Sequence, residues 1–233
     1  MNSPIDRGSL FGEIEGAVER IDSGHFGGRL RAEHLARYRW AVAMVGDKTV
    51  LDVACGTGYG SRLLREAGAR SVVAVDVALD ALRFARERYG VWAVAADGGA
   101  LPIDDSSFGI VTTFETIEHV PDPEAFLREL HRVLEPGGIM LLSTPNASLS
   151  EGDNPYHLKE FTGSELREAV SAAGFEIRNW LGQGWRLSSP LFSRVVGLRR
   201  LAWEVEGRVR PVRSVPGAQP RYFCVAAARR LAS

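Results

Sequence analysis

Five short, almost continuously apolar runs, at 49–54, 71–77, 91–95, 109–113 and 138–143, recur along the chain with helical stretches between them. A strand that leaves one face in water alternates apolar with polar residues, whereas an uninterrupted run has to be covered on both faces. Strand, helix and strand repeated in this way build a parallel sheet through right-handed crossovers, with helices on either side. Two further runs, at 175–180 and 222–227, extend the pattern. The expected fold class is α/β, a doubly wound Rossmann-like sheet in a single domain, because 233 residues fill one such domain and fall short of two.

The helical stretches carry their own boundaries. Residues 29–45 read as a helix that ends near Gly46. Asp122 before Pro123 is an N-cap with proline at the first helical position, and Phe126, Leu127, Leu130, Val133 and Leu134 then form one apolar stripe. Thr162 and Glu165 make a capping-box pair ahead of Leu166, Ala169, Val170 and Ala173. Gly68, Gly90 and Gly174 each follow a helical stretch, where a left-handed cap is needed.

Composition narrows the class of partner. A formal net charge of −1 gives no global field to attract nucleic acid or an anionic membrane, and neither partner is expected. The polar, glycine-containing residues 1–12 do not read as a secretion signal, and no apolar run approaches the ~18 residues that span a bilayer. Two cysteines, Cys55 and Cys224, make no disulfide framework. A cytoplasmic location is expected, with no stable membrane association. No metal-ligand spacing stands out, so no metal is expected.

In a doubly wound sheet, ligands bind beyond the carboxyl ends of the strands, where the strand order reverses. The chemistry-bearing residues fall at those ends. The first run leads into Asp52-Val53-Ala54-Cys55-Gly56-Thr57-Gly58-Tyr59-Gly60, whose glycines allow a sharp turn and a close approach to a ligand before a helix begins. A tight turn without a ligand is the plainer alternative. The spacing departs from G-x-G-x-x-G, and a carboxylate at Asp52 suits a cationic ligand better than a pyrophosphate. Asp76 ends the second run, placed to accept two ribose hydroxyl protons, although an exposed loop acid is the bland reading. Asp97, followed by Gly98 and Gly99, ends the third and could accept the amino hydrogens of an adenine.

Three later stretches give these acids a context: Leu101-Pro102 through Phe108; Phe114-Glu115-Thr116-Ile117-Glu118-His119-Val120-Pro121-Asp122-Pro123; and Leu134-Glu135-Pro136-Gly137-Gly138, with Ser143-Thr144-Pro145-Asn146 after them. Between about Lys48 and Trp180 the chain resembles the class I S-adenosylmethionine-dependent methyltransferases, nearest the small-molecule, sugar and quinone branch. The resemblance implies a seven-stranded sheet whose last strand is antiparallel. It implies S-adenosyl-L-methionine as cofactor, leaving S-adenosyl-L-homocysteine as product. Asp52, Ala54, Gly56, Thr57 and Gly58 would surround the methionine part, Asp76 and Val77 the ribose and adenine face, Asp97 and Gly98 the adenine edge, and Phe114 and Glu115 the sulfur and amino-acid end. Gly109 stands where the family usually has an acid. A helical lid at 1–46 would precede the cofactor-binding domain at 47–233, and Arg37, beside Tyr38 and Trp40, would meet the cofactor's carboxylate. A surface arginine is the alternative there, and His34 and Arg39 compete for the role.

Methyl transfer is an in-line displacement, and the protein's main tasks are alignment and exclusion of water. A hydroxyl acceptor also gains from a general base, for which histidine is suited. His119 and His157 are the catalytic candidates, each with loop-ordering as its plainer reading. His25, His34 and His131 are weaker, His131 as an exposed residue on a helix face. The segment 181–220 reads as an insertion carrying Trp185, Trp203 and several arginines against Glu204 and Glu206, serving the acceptor pocket, a homodimer contact or simply a solvated helix. The expected function is methylation of an oxygen or nitrogen of a small-molecule acceptor such as a sugar or natural-product intermediate. A quinone or lipid precursor is the rival acceptor. A nicotinamide-dependent oxidoreductase and a non-catalytic S-adenosylmethionine-binding subunit are the rivals of other classes.

Overall fold

The computed structural model describes residues 28–150, 152, 154–184, 212–213 and 219–231. In chain order the elements are α1 (Gly28–Val45), β1 (Thr49–Val53), α2 (Tyr59–Glu66), β2 (Ser71–Asp76), α3 (Leu79–Tyr89), β3 (Trp92–Ala95) and β4 (Phe108–Phe114). A single 3-10 turn (Ile117–His119) follows, then α4 (Pro123–Val133), β5 (Leu134–Pro145), α5 (Gly163–Ala172), β6 (Phe175–Gln183) and β7 (Tyr222–Arg229). The strands form one seven-stranded sheet in the order β3-β2-β1-β4-β5-β7-β6. β7 runs antiparallel to both β5 and β6, and the other pairings are parallel. The order reverses between β1 and β4.

The apolar runs divide their residues between two layers. Because side chains alternate along a strand, Val50 and Ile110 enter a cluster with Leu35, Tyr38, Ala41 and Val45 of α1 and with Leu63 and Leu64 of α2. Leu51, Val53 and Val111 enter the opposite layer, against Phe126, Leu127 and Leu130 of α4 and Leu166 and Val170 of α5. This two-sided burial explains the missing polar alternation.

The boundary signals act as read. Asp122 accepts a hydrogen bond from the Ala125 N–H, and Thr162 with Glu165 completes a reciprocal capping box. Gly90 is left-handed at the end of α3.

Three expectations need correction. β5 begins at Leu134 rather than at 138, because Leu134 pairs with Phe108 before a register shift, and Pro136 with left-handed Gly137 lies within the irregularity. β6 continues to Gln183, with Leu181, Gly182 and Gln183 paired to β7, so the insertion begins after that strand. His131 is half-buried rather than exposed, its ring edge-on to Phe175 at 5.2 Å, and burial followed by the charge of Arg229 lowers its pKa. Trp185, Trp203, Glu204, Glu206, His25 and most of the insertion's arginines lie outside the described residues. Among the described residues, no helix is long and apolar enough to cross a membrane.

Candidate functional site

The tips of β1, β2, β3 and β4 converge where the strand order reverses, and the loops leaving them carry most of the candidate residues. After β1 the backbone turns left-handed at Ala54 (φ 58°), Gly56 (φ 54°) and Gly58 (φ 78°). For alanine this conformation costs ~1 kcal/mol or more, a strain characteristic of loops held for a function. Gly58 is required sterically as well, since a Cβ there would lie 2.5 Å from the Ala85 Cβ of α3. In front of Gly56 the space is open, with nothing within 4 Å of where a Cβ would stand.

Asp76 fastens this loop to the end of β2. Its Oδ2 accepts from the Gly56 N–H at 2.7 Å and its Oδ1 from the Ala78 N–H at 2.9 Å. Each oxygen has a second lone pair, leaving capacity for two hydroxyls of a ribose. Val77, next in the chain, is 71% exposed, apolar surface well suited to cover one face of an adenine. Asp97 is exposed after β3 and accepts from the Gly99 N–H at 2.8 Å. Gly98 lets Phe126 and Val53 close in beneath it, because a Cβ there would meet the Phe126 ring at 2.6 Å.

Asp52 is placed differently from expectation. It shares the parity of Val50, so its side chain enters the layer under α1 and α2 rather than the crevice. Ser61 Oγ donates to it at 2.6 Å, Thr112 Oγ1 at 2.7 Å and Tyr38 OH at 3.1 Å, and it is fully buried. Burial pushes its pKa up to about 6, against the opposing effect of the three hydroxyls. The same parity takes the Phe114 ring into that layer, edge-on to Tyr38 at 5.0 Å, leaving only its backbone at the tip of β4. Tyr38 also covers Gly60, where a Cβ would lie 2.0 Å from the ring. One aromatic side chain of α1 thus covers the glycine loop and binds the acid beneath it.

Arg37 is likewise turned inward. Its Nε donates to Gln183 Oε1 at 3.0 Å, a terminal nitrogen lies 3.4 Å from Glu115 Oε1, and the guanidinium sits over the Tyr222 ring at 4.4 Å. These partners absorb the charge expected to meet a ligand carboxylate. His34 is no substitute, because burial and then Arg37 lower its pKa to about 3 and leave it neutral. Glu115 adopts a left-handed φ of 56° and accepts from Ser143 Oγ at 2.9 Å. Ala54 and Thr57 are half-buried in the glycine loop.

The two histidines meet. The Glu118 carbonyl accepts from Leu158 N–H at 2.7 Å and Lys159 N–H at 3.2 Å, folding the loop after β5 back onto the turn after β4. The rings of His119 and His157 then stand edge to face, 4.9 Å apart. His119 Nδ1 lies 2.9 Å from the Tyr156 carbonyl, and His157 Nδ1 lies 2.5 Å from Glu160 Oε1. Glu118 is fully buried: Oε2 accepts from Thr144 Oγ1 at 2.9 Å, and Oε1 has no hydrogen-bond partner. Burial, and then the neighbouring Glu115, hold its carboxyl well above the usual range. Glu118, His119 and His157, which no sequence spacing links, each present a possible ligand atom within 4.8 Å of the others. The sequence reading missed Ser61, Thr112, Gln183 and Glu118. Only Glu118 left a sequence signal, an acid directly beside His119 between Ile117 and Val120. A groove lined by Gly137, Glu176, Arg178 and Leu231 lies at the other end of β5–β7, away from all of these residues.

The model of a family described as a methyltransferase domain matches residues 51–142. A Xanthomonas campestris protein named ubiquinone biosynthesis O-methyltransferase is 39% identical over 180 residues, covering 66% of this chain and 74% of that protein. The chain belongs to the class I S-adenosylmethionine-dependent methyltransferases. A Mycolicibacterium smegmatis protein named as an S-adenosylmethionine-dependent methyltransferase is 36% identical over 155 residues, 64% of this chain and 60% of that protein. The chain spans 54% to 60% of the length of the first curated relatives it matches. A solved S-adenosylmethionine-dependent methyltransferase from Thermotoga maritima superposes with a TM-score of 0.65 at 19% identity, over 95% of this chain and 99% of that one. That likeness carries the methyltransferase fold alone.

Proposed function

We propose that this chain transfers the methyl group of S-adenosyl-L-methionine to an oxygen or nitrogen of a small-molecule acceptor. The observation that carries the reading is the crevice itself: strained Ala54, the open face of Gly56, the spare acceptor capacity of Asp76 and the bare Val77 meet at the switch point. Asp76 would hold the ribose hydroxyls, Val77 the adenine face and Asp97 the adenine amino group. When bound, the cofactor supplies a methyl group on a positive sulfur, already activated towards displacement. The N–H groups of the glycine loop and the backbone at Phe114 and Glu115 would orient its amino-acid end. With Asp52 turned inward, its contribution is to fix α1 and the end of β1, a positioning role.

His119 and His157 stand beside the β4 tip, where an acceptor would enter. Nδ1 of His119 faces a carbonyl and therefore carries the ring's proton, leaving Nε2 able to accept one from an acceptor hydroxyl. That arrangement favours oxygen over nitrogen as the methylated atom, as does the name of the Xanthomonas relative. The same name favours a quinone precursor over a sugar. Exposed Tyr156 and Leu158 beside the histidines supply apolar surface for such a ring.

Calorimetric titration with S-adenosyl-L-homocysteine and with a nicotinamide dinucleotide tests the cofactor assignment. Binding of the first alone is expected; binding of the second alone would sink it. Incubation of the chain and cofactor with hydroxylated quinone precursors and sugars, read by mass for the gain of one methylene, tests the acceptor assignment. Methylation of the sugars alone would overturn the quinone reading.

A further inference from the structure

The loop after β5 and the turn after β4 bring an acid and two imidazoles together beside the crevice. We propose that Glu118, His119 and His157 hold a divalent first-row transition-metal ion. Their candidate ligand atoms lie within 4.8 Å of one another. Ligands about 2.1 Å from one tetrahedral ion stand roughly 3.4 Å apart, so the three would draw together by about 1 Å.

The hydrogen bonds set each ring for the task. Nδ1 of His119 faces a carbonyl oxygen, which only accepts, so it bears the proton and Nε2 keeps its lone pair. Nδ1 of His157 donates in the same way to the Glu160 carboxylate. A ligating histidine characteristically donates its other ring N–H to a carbonyl or carboxylate, and both arrangements are present here. Asn154 Nδ2 now donates to His157 Nε2 at 2.8 Å and has to swing aside, as an exposed side chain can.

The independent observation is Glu118 Oε1. It belongs to the fully buried carboxylate of a residue in the cluster, and it has no hydrogen-bond partner. A buried oxygen left without a donor is costly, and a cation is a partner that would remove the cost. Arg37 does not serve, being spent on Glu115 and Gln183.

Two imidazoles and one carboxylate suit Zn²⁺, Mn²⁺ or Co²⁺ better than Mg²⁺ or Ca²⁺, which prefer all-oxygen shells. Three protein ligands leave a further position for water or for an acceptor oxygen. A catalytic use of that position rests on the methyl-transfer reading, and with the ion bound His119 Nε2 is a ligand and no longer the base. An acceptor hydroxyl bound there would release its proton to solvent. Its oxygen lone pair would then form the C–O bond as the S–C bond breaks onto sulfur.

The test uses the full chain, stripped with a chelator and titrated with Co²⁺ while the visible absorption is followed. One equivalent should bind with ligand-field bands, and His119→Ala and His157→Ala should each weaken it by at least about tenfold. S-adenosyl-L-homocysteine titrations in parallel should be unchanged in both variants, which also shows that they fold. Absence of Co²⁺ and Zn²⁺ binding to the parent chain, or equal affinity in folded variants, would overturn the site. If neither variant folds, Mn²⁺ added to the parent chain should broaden the imidazole resonances of His119 and His157 well before those of His34 and His131. Uniform broadening, or none, overturns it. Metal binding without homocysteine-adduct binding would instead defeat the methyl-transfer reading and leave the metal site standing.

Discussion

Replacing Asp52 by asparagine tests the claim that this acid is a buried structural charge. Its carboxyl is fully buried and its pKa stands at about 6, against 3.8 for the free group. The sign follows from the direction of that shift. A folded-state pKa above the unfolded one means that the folded chain holds the proton more tightly, so Asp52's contribution is fully present below the unfolded value. It is lost as pH rises through about 6. A displacement of roughly 2 pKa units corresponds to about 3 kcal/mol between the two limits. Asparagine keeps the shape, can accept from Ser61 or Thr112, and carries no charge at any of these pH values. Urea denaturation of the parent and Asp52→Asn at pH 4.5 and 7.5 should show the variant gaining about 2 kcal/mol on the parent between those values. Titrations common to both chains cancel in the comparison. A difference that stays constant with pH would refute the buried-anion account. A variant that keeps its stability but loses affinity for S-adenosyl-L-homocysteine would return Asp52 to the ligand.

Asp76→Ala should weaken S-adenosyl-L-homocysteine binding by at least about tenfold, since bonds to a charged acceptor contribute roughly 1.5–3 kcal/mol each; unchanged affinity by calorimetry would show the ribose assignment to be wrong. Arg37→Ala should destabilise the fold by about 1–3 kcal/mol, by removing the Nε donor from buried Gln183 and the guanidinium from half-buried Glu115. Unchanged stability with reduced cofactor affinity would instead restore Arg37 to the cofactor's carboxylate. Gly60→Ala should cost roughly 1–3 kcal/mol, because its Cβ occupies the place of the Tyr38 ring and α1 must shift. Denaturation matching the parent would show that the Tyr38 contact is dispensable.

The sheet was legible because its strands need cover on both faces and so declare themselves as apolar runs. Asp76, Val77 and Asp97 were legible because they lie just beyond the ends of such runs, where chain position alone places them at the crevice. Asp52 and Phe114 still belong to strands, as the penultimate residue of β1 and the last of β4, and there the parity decides which layer a side chain enters. Only the packing of α1 shows that the layer they enter is filled by Tyr38. Glu118 and His157 come from loops after different strands, so their meeting depends on the two amide bonds to the Glu118 carbonyl. Nothing local in either loop encodes that fold-back. Arg37 and Gln183, far apart in sequence, are joined by a hydrogen bond across the fold that no motif announces.

Gln183, the last residue of β6, is paired directly with Tyr222, the first of β7. The stretch between them therefore leaves and rejoins the sheet at one rung, with Arg213 inside it pairing back onto Gly182. Doubling its length would add only about 0.6 kcal/mol of closure entropy, and the rung would still hold the ends together. A change in the length or composition of this stretch would thus leave the crevice and its acids in place. β1, β2 and β3, which carry or lead into those acids, pair only with one another and with β4.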